Sequence, residues 1–134
     1  MSKTPFILTL LIAAAIIGCT KKAVEDKTAP SITITSPTEG QSFMQMTTTD
    51  SATFSVHITD VDLHSYKVLI TKTDGTDTLF IQPETHQEIN DLTVTKKFPL
   101  HVITGTVNYK AVVNAEDHSG NEAEAVRNFS VSHM

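Results

Sequence analysis

The chain has no tryptophan, a single cysteine, and ten lysines and arginines against fifteen aspartates and glutamates in 134 residues. One cysteine cannot close an internal disulfide, so an apolar core has to hold the fold. The net charge of −5 argues against nucleic acid as a partner, because that binding needs clustered lysine and arginine to displace counterions. Only Lys21-Lys22 and Lys96-Lys97 stand as basic pairs. No apolar run reaches the roughly 20 residues of a membrane-spanning helix; the run Phe6–Ile17 stops at 12. No internal repeat is visible, which favours a single domain.

That short run has a meaning of its own. Lys3 precedes it and small residues follow it, as in a secretory signal peptide. It is apolar on all sides, without the amphipathic period of a helix docked on a core. Its end, "IIGC" (Ile16, Ile17, Gly18, Cys19), resembles the lipobox of bacterial lipoproteins. The resemblance implies a diacylglyceryl group on the Cys19 thiol, cleavage before Cys19, and acylation of the new amino terminus. Each acyl methylene buried in a bilayer contributes about 0.8 kcal/mol, so two or three chains anchor firmly. Residues 1–18 are thus expected to be a lipoprotein signal peptide. Residues 19–29, "CTKKAVEDKTA", are small, charged and aperiodic, and read as a flexible tether carrying the lipidated Cys19. Without the signal, 116 residues remain, with nine basic residues against fifteen acidic ones.

From Pro30 onward the period is two. "SITITS" alternates isoleucine with hydroxyl residues, and "ATFSVHIT" puts Phe54, Val56 and Ile58 on one face. "HSYKVLITK" adds Tyr66, Val68 and Ile70, and "GTVNYKAVVNAED" adds Val107, Tyr109, Ala111, Val113 and Ala115. "DTLFIQ", "DLTVTKKF" and "EAVRNFSVS" complete the set. Alternation with β-branched enrichment marks half-buried strands. In the last segment Val126 is out of step with Phe129 and Val131, which predicts a bulge or an edge there. Asp74-Gly75 and Gly120-Asn121 are hairpin-turn signals. About seven strands with turns between them predict an all-β, immunoglobulin-like antiparallel β-sandwich over residues 30–132.

Three landmarks, "SPTEG", "TDVDLHSYK" and "AEDHSGN", resemble bacterial Ig-like repeats of extracellular proteins. The chain is more closely similar to a family of Ig-like lipoproteins of unknown function from Bacteroidetes. The likeness spans residues 29–131 and implies a fold and a location, with no activity attached. The implied location is the cell envelope, lipid-anchored at the outer membrane.

Chemistry is sparse. The six histidines form neither an i, i+2 pair nor an H-x-x-x-H zinc motif. Serines lie in no G-x-S-x-G elbow. The expectation is therefore no enzyme, no catalytic residue and no cofactor. Ig-type topology brings the loop after the second of these strands and the last hairpin to one end. Asp60, Asp62, Asp117 and Asn121 then converge, where Asp26 enters from the tether. Such oxygens could hold calcium. The reading preferred on sequence is that they cap their own turns, their carboxylates apart and separately solvated, with no metal. At the opposite end, "PTEGQSFMQMTTTDS" reads as a long loop whose Phe43, Met44 and Met46 form a candidate ligand apex, or in which Phe43 plugs the sandwich edge. Two functions are carried forward. One is a binding or adhesion module for a protein or glycan partner, held to the membrane by its lipid. The other is an accessory subunit of an outer-membrane complex or transporter.

Overall fold

The computed structural model describes residues 26–101 and 103–133. The expected signal peptide and Cys19 lie outside these residues. Eight strands follow in order: β1 (Ser31–Ser36), β2 (Gln41–Gln45), β3 (Ser51–Thr59), β4 (Leu63–Lys72), β5 (Thr78–His86), β6 (Asp91–Pro99), β7 (Thr106–Asp117) and β8 (Glu122–His133). They make a three-stranded sheet, β1-β3-β6, and a five-stranded sheet, β2-β8-β7-β4-β5. All pairings are antiparallel except β2 with β8. The two sheets share one core, giving an immunoglobulin-like sandwich.

The alternation explains the packing. Phe54, Val56 and Ile58 of β3 and Val94 and Phe98 of β6 point in from one sheet. Val68 and Ile70 of β4, Tyr109, Ala111 and Val113 of β7, and Phe129 and Val131 of β8 meet them from the other. Phe54 is fully buried, and truncating such a side chain costs about 3–5 kcal/mol. Gly75 and Gly120 sit at φ 77° and 81° in the two hairpins that the sequence marks; without a Cβ they adopt this left-handed backbone freely.

Two local expectations change. Residues 41–45, read as part of a loop, form β2, because Phe43 and Gln45 alternate inward as in any strand. The chain leaves β1 through a cis Ser36–Pro37 peptide and turns at Gly40 (φ 71°) before running parallel to β8. Phe43 packs edge-on against Phe98 and Phe129, with ring centroids 6.1 and 5.7 Å away. The second change concerns β8, which pairs with β7 without a bulge. Its phase never slips: Val126 faces out, and the inward position beside it belongs to Arg127. The Arg127 Nη2 donates to the Ile34 carbonyl at 3.1 Å, and Nη1 lies 3.8 Å from Glu39. The edge expectation holds for the first half of β8, since β2 joins only from Phe129 onward.

The sandwich has two poles. Residues 26–30, 60–62, 87–90 and 118–121 gather where β1 begins. Residues 46–50, 73–77, 100–101 and 103–105 gather at the far pole. β8 ends there, with the His133 N–H on the Gly105 carbonyl.

Candidate functional site

At the tether pole the inward faces of two strands run on into carboxylates. Asp60 follows Ile58 in the alternation of β3, and Asp117 follows Ala115 in that of β7. Asp117 is only 1% exposed. Its Oδ1 accepts the Ser119 and Asn121 N–H groups, each at 2.8 Å, and its Oδ2 accepts the Asn121 side-chain amide at 2.7 Å. Burial pushes the Asp117 carboxyl up, but the Asn121 amide and the backbone N–H groups of Asn121, Ser119 and Gly120 outweigh it and hold it below the usual value. The Asn121 amide also donates to the Asp26 carbonyl at 3.0 Å, drawing the entering chain onto the pole. Asp26 Oδ1 accepts the Thr28 N–H at 2.9 Å, and Asp60 Oδ1 accepts the Asp62 N–H at 2.8 Å.

The turn-capping roles expected of Asp60 and Asp117 are therefore present. The expectation of separately solvated carboxylates does not hold. One oxygen from each of Asp26, Asp60 and Asp117 lies within 4.8 Å of the other two. Asp62 stands outside this cluster. Its carbonyl accepts the His118 N–H at 3.0 Å, and its carboxylate lies 3.3 Å from His118 Nδ1. Asp26 takes the third place because the Asn121 bond, not strand periodicity, positions it.

Beside this pole, three histidines from different elements meet. The His64 ring sits 4.6 Å from His86 and 4.5 Å from His118 between centroids. A β-bulge accounts for part of this: His64 is the extra residue where Leu63 pairs with Asp117 and Ser65 with Glu116. Sequence spacing could not reveal a trio spread over β4, β5 and the last hairpin.

The candidate apex is divided by β2. Phe43 belongs to the core, whereas Met44 and Met46 are 53% and 67% exposed. Gln45, fully buried, ties the apex down: its amide donates to the Leu100 carbonyl at 3.0 Å and accepts the Ile103 N–H at 3.3 Å. Asp50 closes the loop by accepting the Met46 and Thr47 N–H groups, and these bonds hold its carboxyl below the usual value.

The outer faces of the sheets differ. The three-stranded sheet shows Thr33, Thr35, Thr53, Thr93, Thr95 and Lys97 to solvent. On the five-stranded sheet, Ile81, Leu69, Val112 and Val126 are direct cross-strand partners in successive strands β5, β4, β7 and β8. They form one apolar row, with Ile81 66% exposed at its end. Lys67, Lys110, Asn114 and Glu84 flank it along the same groove. The sequence hides the row, because each member sits at an outward position of an otherwise ordinary strand.

No protein-family model and no curated protein matches the chain. Among solved structures it is similar to an engineered protein, with a TM-score of 0.51 and 15% identity over 78% of this chain and 20% of that one. The chain thus spans a fifth of that protein's length. A murine CRIg structure aligns over 80% of this chain and 99% of its own, with a TM-score of 0.41 and 9% identity. At these identities the likeness to the engineered protein speaks to the fold alone.

Proposed function

We propose that the chain is a non-catalytic binding module of the cell envelope, lipid-anchored through Cys19, whose contact surface is the outer face of the five-stranded sheet. The observation that carries this reading is the unbroken row Ile81–Leu69–Val112–Val126. Isolated exposed aliphatic residues are ordinary on soluble domains, but contiguous apolar patches rimmed by polar groups mark contact sites. The partner is a protein in preference to a glycan. Sugar rings dock on flat aromatic faces, and here both tyrosines are buried and tryptophan is absent. The row is purely aliphatic, suited to another apolar protein surface. Filled by core side chains, the sandwich interior leaves function to its surfaces, and an Ig-like fold by itself assigns no chemistry.

Site-specific photo-crosslinking tests the reading. A photoreactive residue at position 81 should give a discrete protein adduct in membranes, and one at position 93 on the hydroxyl-covered sheet should not. Equal adducts from both positions, or none from position 81, would sink it.

A further inference from the structure

We propose that His64 and His118 form a chelating pair for a borderline divalent metal ion of the zinc and copper class, clasping the start of β4 to the last hairpin. The site is independent of the apolar row. The two ring centres stand 4.5 Å apart, with their planes inclined by 62°. Imidazole binds zinc at about 2.0–2.1 Å and the ring itself adds about 1.2 Å, so two rings on one ion have centres roughly 4.5–5.2 Å apart for ligand angles of about 90–109°. The pair already stands at that separation. Rotation about χ2, a broad torsion in histidine, then chooses which ring edge faces the ion.

The deciding observation is the hydrogen bonding of His118. Its Nδ1 lies 3.1 Å from the Asp62 carbonyl oxygen and 3.3 Å from the Asp62 carboxylate. Both are acceptors, so Nδ1 carries the proton, and neutral His118 keeps a bare lone pair on Nε2. Histidines that ligate metals make this kind of bond. The ring nitrogen away from the ion donates to a carbonyl or carboxylate, which fixes the tautomer and the ring orientation. The same Asp62 carbonyl accepts the His118 backbone N–H at 3.0 Å, so the residue is held at two points. His64 is fixed through its backbone instead. It is the extra residue of the β4 bulge, and its carbonyl accepts the Gln87 N–H at 2.7 Å; bulges re-aim side chains in this way. Among the described residues, ring nitrogens hydrogen-bond only in His57, His101 and His118. The His64 ring thus engages neither nitrogen with the protein.

The third ring stands on the other side. β4 lies between β7 and β5 in the sheet, so His118, which follows β7, and His86, on β5, approach His64 from opposite neighbours. The His86 ring centre is 4.6 Å from that of His64, but no hydrogen bond sets its tautomer. With His64 between them, His118 and His86 do not share one ion. Two imidazoles leave the remaining positions to water, which an exposed site supplies. Imidazole suits zinc, copper and nickel, whereas calcium and magnesium ask for oxygen ligands. An ion bound to the folded state alone then stabilises the fold by mass action.

The test uses the full chain without an affinity tag, stripped of metal and titrated calorimetrically with zinc and with calcium. Zinc should bind, and calcium should give no comparable heat. Copper(II) in the same site should show an electron paramagnetic resonance spectrum coupled to two imidazole nitrogens. His64→Ala and His118→Ala should each weaken zinc binding at least tenfold, whereas His86→Ala and His57→Ala should leave it within threefold. His57 lies on the other sheet beside Asp91, so it reports diffuse surface binding. None of the four is buried, and melting curves in chelator check that each variant is folded; His64→Gln repeats the test if His64→Ala disturbs the bulge. An absence of zinc binding would overturn the proposal. So would zinc binding that survives the loss of His64, or losses from His86→Ala or His57→Ala equal to that from His118→Ala.

Discussion

The two poles handle negative charge in opposite ways. At the far pole one half-buried carboxylate, Asp77, is surrounded by partners. His101 Nδ1 lies 2.9 Å from one oxygen and 3.0 Å from the other, and the Tyr109 hydroxyl donates at 3.1 Å. At the tether pole three carboxylates share a space within 4.8 Å, held by N–H donors of their own turns and by no cationic side chain among the described residues. The far pole is complete as a closed network of side chains. The tether pole closes through the hydrogen bonds of its own turns instead. One end of the sandwich is thus closed by a histidine and a tyrosine around one carboxylate, the other by the N–H donors of its own turns.

The largest test of this contrast is stability in the absence of divalent ions. Asp117→Ala strips the buried acceptor of the Ser119 and Asn121 N–H groups and of the Asn121 amide, on a part-buried turn. Leaving such donors unmet costs about 2–4 kcal/mol, or roughly 10–20 °C in melting temperature for a domain of this size. Relief of repulsion from Asp26 and Asp60 acts in the other direction. It is the smaller effect, because the donors already hold Asp117 below its ordinary pKa against burial. Asp77→Ala frees the half-exposed His101, which can still reach water, and removes the acceptor of the buried Tyr109 hydroxyl, and should cost about 1–2 kcal/mol. Chelator-treated melting curves in which Asp77→Ala is the more damaging change would reverse the comparison.

A smaller effect appears with acid. The folded-state pKa of Asp117 lies below its ordinary value of 3.8. Its ionised form is therefore favoured in the fold, and it stabilises the protein above about pH 4. That contribution fades as pH falls past 3.8 and through the lower folded value. Asp117→Asn should start less stable and lose less between pH 5 and pH 2, so that the two stability curves converge. Curves that stay parallel to pH 2 would remove Asp117 from the account of acid sensitivity.

Much of this architecture was legible in the residues. Alternation picks out β3, β4 and β7 and their buried residues, and the turn glycines mark both hairpins. Even Asp60 and Asp117 lie on the extrapolated inward faces of their strands, which is why topology alone brings them together. The short strand β2 escaped, because "QSFMQ" sits among turn and hydroxyl residues and its pairing with β8 is non-local. Asp26 was expected to enter at this pole, but its place in the cluster ahead of Asp62 was not legible, since one bond from Asn121 sets it and no periodicity announces it. The apolar row and the histidine trio exist only across strands. A pattern read along one strand at a time cannot contain them, because register decides which outward residues become neighbours.

The finest test of the contrast lies in tyrosine ionisation at the far pole. Tyr109 is pushed up to about 12, first by burial and then by its hydrogen bond and charge interaction with Asp77. Tyr66 is raised by burial as well. A raised folded-state pKa means that the neutral phenol is favoured in the fold. The resulting stability is fully present below about pH 10 and is lost as pH rises from there through about 12. The chain has two tyrosines and no tryptophan, so tyrosinate absorbance near 295 nm reports these residues cleanly. The folded protein should show less tyrosinate at pH 10 than an unfolded chain, which is about half ionised there, and Tyr109 should ionise only at higher pH. Asp77→Asn removes the negative charge beside the Tyr109 hydroxyl and should move its ionisation down by a fraction of a unit to about one unit, leaving the larger effect of burial. Asp117→Asn, at the opposite pole, should leave the curve unchanged. A full return of Tyr109 to an ordinary titration in Asp77→Asn would mean that the far pole is opened by the substitution, and that the network there is less closed than its bonds imply.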